Sequence, residues 1–439
     1  MNTYQTQRRK LSPIPKRFPT TPLDQYLYIS LMFHDGQQRT IIKFAGQIDA
    51  ERMTRAMRLA FDAEPILGCR FVEHPWRPYW ERRDDLDIVS LCPVVKPKDM
   101  ESELWEFVAA PMNPCTDPLV QVKIFRSDKD TLCIKVNHTV ADAAGVYDCI
   151  GLLARTYREL GVDSTYYPKP NVRGSRGYGQ VLRRVSPLSL IRGFWHVSYP
   201  KPWCDLPTIS QDFSGRAFKF RRITPERLAN IKTYCRRHQV SVNIVLITAF
   251  YRVLLEMFDP PVNVPLPIAQ TVNLRRYLPS RQTGAICNLS GGFFITVNMQ
   301  SRSTFSEAIT QVSAAMKVVN ERKPWLGEAV YLGLTMLPGF FLGQRILQTN
   351  FNNAREAASG KVIPYLANVG ILNPEQFYFG DTEVIDVCPF GMVPYGPALI
   401  FDIHTFRNNM IFNIPFSNTA IDAQIVERIL GSFVRELPE

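Results

Sequence analysis

Apolar positions recur along the chain with two different periods, and together they divide it into two stretches of mixed strand and helix separated by a segment with neither period. In the first stretch Arg39 to Phe44 reads as a strand, and Asp49 caps a helix running to about Ala60. Short strands are predicted at Cys69 to Val72 and Tyr79 to Arg82. Val120 to Phe125 and Thr131 to Val136 follow, joined through Ser127, Asp128, Lys129 and Asp130 in the manner of a hairpin. After His138 the period changes: Val146, Cys149, Ile150, Leu153 and Tyr157 recur at helical spacing, and the helix is expected to end near Gly161.

From Ser164 to Ser214 prolines, glycines and arginines remove the periodicity, which marks a linker. Within it, Leu182 to Trp195 interleaves Arg183, Arg184 and Arg192 with aliphatic and aromatic residues. That pattern fits packing at a lobe junction, with Pro187 and Gly193 weakening any helix, and it also fits peripheral contact with a membrane surface. The second stretch opens with Thr224 capping a helix from Pro225 to about His238, and Ser241 caps another through Glu256. Strands are predicted at Val264 to Val272 and Phe293 to Val297, and Thr304 with Glu307 forms a capping box for a helix to about Val319. Ala329 to Leu347 is apolar but broken by Pro338 and Gln344, as in a core or interface segment. Strands at Tyr365 to Gly370, Pro397 to His404 and Met410 to Ile414 precede a last helix from about Thr419. Strands and helices mix without regular alternation, so the predicted class is α+β, with lobes at 1–165 and 215–439 and a linker at 166–214.

The length of 439 residues favours two cores over one, and 46% hydrophobic with 21% charged residues supports both. The formal charge of +11 favours acidic partners, among them a phosphate-bearing substrate, an acidic carrier protein or an anionic lipid surface. No zinc finger or aromatic RNP-like strand accompanies the charge, so nucleic acid is not the expected partner. Nine scattered cysteines without a CxxC pair argue against a zinc site or a disulfide framework and for a reducing compartment. The opening residues through Arg8, Arg9 and Lys10 run into prolines rather than an apolar stretch, so the cytoplasm is the expected location.

Chemistry concentrates at Val136-Asn137-His138-Thr139-Val140-Ala141-Asp142-Ala143-Ala144-Gly145, an HxxxD pattern between a strand and an amphipathic helix. A histidine at a strand end can present a ring nitrogen to a channel and accept a proton near neutral pH. Asp142 either orients that imidazole or turns away to pair with an arginine. The same residues also fit a core histidine beside an N-cap aspartate. The sequence has no GxSxG elbow, GxxxxGK[ST] loop, HExxH pair or dinucleotide fingerprint. His404, alternating within a strand, reads as packed, and the sequons at Asn137 and Asn288 as incidental.

The segment resembles the HHxxxDG or HxxxD motif of the superfamily containing chloramphenicol acetyltransferase, nonribosomal peptide condensation domains, plant BAHD acyltransferases and bacterial alcohol and wax-ester acyltransferases. Ser241-Val242-Asn243-Ile244-Val245-Leu246 resembles the helix opening that family's second lobe, and Thr271-Val272-Asn273-Leu274-Arg275-Arg276-Tyr277-Leu278 its strand-end arginine motif. Asn288-Leu289-Ser290-Gly291-Gly292 is similar to the downstream asparagine segment, Ala367-Asn368-Val369-Gly370 to SNxG, and Pro389-Phe390-Gly391-Met392-Val393-Pro394-Tyr395-Gly396-Pro397 distantly to the DFGWG loop.

The resemblance implies two chloramphenicol-acetyltransferase-like lobes enclosing a tunnel in which an acyl thioester meets an acceptor at His138, the general base. It implies Asp142 paired with Arg275, Gly145 in support, and Asn137, Thr271, Asn288, Asn368 and Gly391 as candidate substrate or oxyanion contacts. No resident cofactor or metal is implied: acyl-CoA, or an acyl group on phosphopantetheine, enters as substrate, with a small-molecule or lipid acceptor and, in the carrier-dependent version, an acyl or peptidyl carrier protein. Asn137 stands where condensation domains have their first histidine, which turns the expectation toward stand-alone acyltransferases. The broken DFGWG loop departs from the BAHD pattern. A carrier-dependent condensation enzyme and a non-catalytic lipid- or partner-binding member are the competing expectations.

Overall fold

Residues 13–261, 264–300 and 303–439 are described by the computed structural model of the protein, and the basic stretch through Lys10 lies outside them. After β1 (Arg17–Pro19), α1 (Pro22–Ser30) opens on a reciprocal cap in which Thr21 and Asp24 each accept the other's amide. The first half continues through β2 (Gln37–Phe44), α2 (Ala50–Ala63), β3 (Cys69–Val72), β4 (Tyr79–Arg82), β5 (Val94–Val95), α3 (Met100–Ala109), β6 (Val120–Phe125), β7 (Thr131–Asn137) and α4 (Ala143–Val162). The predicted strands are present, whereas α1 and α3 were not read from the sequence. Gly161 does not cap α4: it lies inside the helix, which ends on Asp163.

The segment expected to be a linker is structured. It holds α5 (Gly179–Leu182) and α6 (Pro187–Trp195), the second of which starts on Pro187, where a missing amide costs nothing, after a Ser186 cap. Gly193 does not weaken α6; its missing side chain admits the backbone of Lys323 and Gly327, which a Cβ would meet at 2.7 and 2.9 Å. Leu190 and Gly193 face inward, while Leu188, Ile191 and Trp195 are exposed alongside Arg192. Upstream, Arg176 ties the segment to the first lobe by bonding Asp24 at 2.8 Å, a carboxylate that also accepts the Trp80 indole N–H at 3.0 Å.

The second half comprises β8 (Ala217–Ile223), α7 (Pro225–Arg237), α8 (Val242–Phe258), β9 (Leu266–Asn273), β10 (Ser290–Val297), α9 (Phe305–Arg322), α10 (Pro324–Met336), α11 (Phe340–Ala358), β11 (Tyr365–Ile371), β12 (Val384–Phe390), β13 (Ile400–Phe406), β14 (Asn409–Phe416) and α12 (Ala423–Glu436). The last helix is capped by Asp422, later than Thr419 suggested. The apolar stretch Ala329 to Leu347 spans parts of two helices, α10 and α11, whose inner residues join the first core.

Two main sheets result. One has the order β10-β9-β11-β13-β14-β8, the other β12-β2-β7-β6-β5, and a small sheet β1-β4-β3 stands beside them. The five-stranded sheet is completed from the far half of the chain, because β12 pairs antiparallel with β2. Together with α10 and α11, this makes the division at 166–214 a boundary in sequence that several elements cross in space. One core gathers α2, α4, the inner face of β2-β7-β6 and parts of α10 and α11; a second lies among α8, α12 and the six-stranded sheet. Among the described residues no single helix is long and apolar enough to cross a membrane.

Candidate active site

The loop after β7 is built by short-range bonds. Asn137 Oδ1 accepts both the amide and the hydroxyl of Thr139, at 3.1 and 2.7 Å, and reverses the chain. Asp142 Oδ1 then accepts the Gly145 amide at 2.9 Å and starts α4. His138 sits between these two locks. Its own amide donates to the carbonyl of Gly36 at 2.7 Å, and Gly36 holds a left-handed turn with φ of +61°, a conformation that suits glycine.

Asp142 turns away from His138, which decides between its two readings. Its Oδ2 accepts Arg275 Nη1 at 2.9 Å and the Leu289 amide at 2.7 Å, while Arg275 Nη2 donates to the Cys287 carbonyl at 2.9 Å. Asn288 Nδ2 bonds the Thr139 carbonyl at 3.0 Å, and Arg176 reaches the Val140 carbonyl at 3.1 Å. The loop that carries His138 is therefore clamped by residues from the linker and the second half. Gly145 belongs to this clamp through its size, since a Cβ there would come within 2.6 Å of the Cys287 carbonyl oxygen.

Electrostatics follow from burial. Burial holds the His138 imidazole below its ordinary value of 6.5, although the Asp142 charge and the Asn288 side chain favour proton uptake. Its Nδ1 is buried without a hydrogen bond. Burial works against the Asp142 charge, but Arg275 and the Leu289 and Gly145 amides prevail and keep the carboxyl below its usual range. His34, absent from the sequence reading, is pushed down to about 4 by burial and by His138. Its Nδ1 accepts the Gly36 amide at 3.0 Å, so the neutral ring carries its proton on Nε2, 3.0 Å from Ser30 Oγ.

His138 lines a cavity of about 2530 Å³ whose walls come from both halves of the chain. Of the residues expected there, Asp142, Arg275, Thr271, Asn368 and Gly391 line it. Asn137 does not: it is fully buried, with its side-chain oxygen spent on Thr139 in the turn that ends β7. Asn288 is likewise behind the wall, bracing Thr139 rather than facing the cavity. Asn368 reaches the cavity but is engaged, donating to Asn243 Oδ1 at 2.9 Å and accepting the Gly370 amide at 3.0 Å. The loop around Gly391 is fastened to the first half through Arg39, which donates to the Gly391 carbonyl at 3.0 Å and pairs with Asp35.

Sequence reasoning missed His34, Arg176 and the polar character of β13. His404 is buried, as expected of a packed residue, but it lines the cavity beside Asp402. A signal was available in Asp402 and His404 falling on one face of an otherwise apolar strand. For His34 and Arg176 nothing local distinguished them, because their roles arise from contacts made across the fold.

No family model matches the chain, and no curated protein matches it in sequence. Among solved structures, the first condensation domain of the calcium-dependent antibiotic synthetase is similar with a TM-score of 0.70 and 16% identity, covering 96% of each chain. Polyketide synthase associated protein 5 from Mycobacterium tuberculosis is similar at 0.67 and 12%, covering 95% of this chain and 98% of that one. The trichothecene 15-O-acetyltransferase of Fusarium sporotrichioides gives 0.68 and 11%, covering 96% and 95%. The chain thus has the two-lobed fold shared by condensation domains and chloramphenicol-acetyltransferase-like acyltransferases, over nearly its whole length.

Proposed function

We propose that the protein transfers an acyl group from a thioester, acyl-CoA in the first instance, to a hydroxyl or amine acceptor, with His138 as general base. The observation that carries this reading is a neutral imidazole lining a cavity walled by both halves, on a loop that Asp142 and Arg275 hold rigid. Because Nδ1 is the buried nitrogen, Nε2 takes the proton. The acceptor oxygen or nitrogen attacks the thioester carbonyl as its proton passes to Nε2, the carbon–sulfur bond of the tetrahedral intermediate breaks, and the thiolate leaves with that proton. Thr271 and the free amide hydrogen of Asn368 are the candidate contacts for the oxyanion, a role that contributes a few kcal/mol where it is filled.

Exposed Arg155, Arg281, Arg322, Arg355 and Lys361 line the same cavity and suit the phosphates of coenzyme A or of a carrier-bound phosphopantetheine. The outward stripe of Leu188, Ile191 and Trp195 supports contact with a membrane or a lipid acceptor. The test is thiol release from a panel of acyl-CoA donors with candidate alcohols and amines. Acceptor-dependent release with free acyl-CoA supports the reading, release only from a phosphopantetheinylated carrier moves it to the condensation type, and no release from either rejects it.

A pH profile adds a second check. With the folded pKa of His138 below 6.5, the base form persists as pH falls through 6.5, so kcat/KM for an alcohol acceptor is expected to stay flat there and to decline only at lower pH. An acid limb centred at or above 6.5 would contradict the buried, neutral imidazole.

A further inference from the structure

At one wall of the cavity, β13 presents Asp402 and His404 on the same face, two residues apart and so about 6 to 7 Å from one another along the strand. Their relative exposures are 6% and 5%. Both line the cavity, and both carry a buried polar atom without a partner, Asp402 Oδ2 and His404 Nε2. The intervening Ile403 and the preceding Phe401 point the other way into the second core, so the strand needs no polar residue here for its own packing.

Among the described residues none offers Asp402 a compensating charge. Tyr147 from α4 and Tyr365 from β11 are the titratable groups facing it, along with His404 of its own strand. Arg39, which bonds the adjacent Gly391 carbonyl, is committed to Asp35. Burial pushes the Asp402 carboxyl up to about 7 and outweighs the Gly391 amide, which pulls the other way. Burying an ionisable carboxyl with no counter-charge is destabilising, and an apolar residue of similar size would serve the fold better. Groups kept against stability in the wall of a cavity point to a ligand. His404 is engaged on one side only, by Tyr147 Oη at 2.9 Å from Nδ1. When Tyr147 accepts from Nδ1–H, Nε2 is left as an unpartnered acceptor in a residue of the cavity wall. Two acceptors side by side, one of them a carboxylate, complement a hydrogen-bond donor of positive charge.

We propose that Asp402 and His404 form a recognition subsite for the cationic amine of an acceptor, whose ammonium donates to Asp402 Oδ2 and His404 Nε2. The inference rests on the acyl-transfer reading of the same cavity, and it narrows the acceptor to a molecule with two functional groups: a hydroxyl or amine that reacts at His138 and an ammonium that is held at β13. Glu328, a further wall residue that accepts the Gly292 amide and is pushed up to about 7 by burial, gives the interior the same preference for cations. The interior is thus acidic where the exposed lining is basic, which separates an amine-bearing acceptor from a phosphate-bearing donor.

The test measures binding calorimetrically in the absence of any thioester, using a graded series of α,ω-diamines and the matching diols. Wild type is expected to bind one or more diamines and to prefer them to diols of equal length. Asp402→Asn is expected to weaken diamine binding at least about tenfold, as loss of a charged hydrogen bond does, and to leave the thermal midpoint unchanged or higher. His404→Phe, which removes the second acceptor and keeps an aromatic ring, is expected to weaken it by a smaller factor. Equal affinity for diols, or diamine affinity unaltered in a folded Asp402→Asn protein, overturns the subsite. Thiol release is then measured on the same proteins: Asp402-dependent binding without turnover leaves the subsite standing and rejects acyl transfer, whereas turnover that favours diols and ignores Asp402 does the reverse.

Discussion

Asp142→Ala is expected to unfold well before the wild-type protein, by about 3 to 5 kcal/mol, the usual cost of leaving a buried charge without its partner. The carboxylate does three jobs at once. It caps α4 at the Gly145 amide, accepts the Leu289 amide, and neutralises Arg275, whose side chain is only 5% exposed. Truncation strands the guanidinium beside the Cys287 carbonyl with no anion in hydrogen-bond range, since Asp148 stands 4.0 Å from its Nε. Arg275→Ala is expected to be comparably destabilising, and the double variant less so than the sum, with a coupling of about 0.5 to 3 kcal/mol. Thermal and denaturant unfolding of the four proteins measures the cycle. Should Asp142→Ala unfold like wild type while abolishing turnover, the carboxylate would belong to the chemistry and not to the clamp.

How much of this was legible beforehand depended on how local each feature is. The strand, loop and helix around His138 could be read because the apolar period changes from two to about three and a half within a few residues, with Asp142 standing at the change. Likewise, Thr224, Ser241 and Thr304 all cap the helices they were expected to cap, since capping is settled within four residues. The pairing of Asp142 with Arg275 was legible only through resemblance, because 133 residues separate the partners.

What escaped the reading is long-range. β12 carries no pattern that announces its place at the edge of a sheet begun by β2, and the linker looked unstructured because its order comes from contacts such as Arg176 with Asp24. The role of Asn137 is set by the turn that follows β7. Asn137 closes β7 and its side chain is consumed in reversing the chain at Thr139, so it braces the turn that carries His138 instead of facing the cavity.

His138→Ala is expected to lose about two to four orders of magnitude in kcat/KM, the span that a positioned general base contributes, with almost no change in stability. The second half of this expectation is the more discriminating. The ring makes no hydrogen bond through its buried Nδ1, and the backbone bond from the His138 amide to Gly36 survives truncation, so the clamp of Asp142, Asn288 and Arg176 remains whole. Residual rate should persist because positioning of donor and acceptor in the cavity does not depend on the imidazole. His34→Ala supplies the comparison: that ring is half-buried, neutral and bonded on both nitrogens, so its loss should disturb the Gly36 turn and lower stability more than His138→Ala does, while costing less in rate than removal of the base. Parallel measurement of thermal midpoints and thiol release for the two variants separates the roles. A folded His138→Ala protein with undiminished acceptor-dependent thiol release would remove the general base from the mechanism and leave the cavity as a binding site.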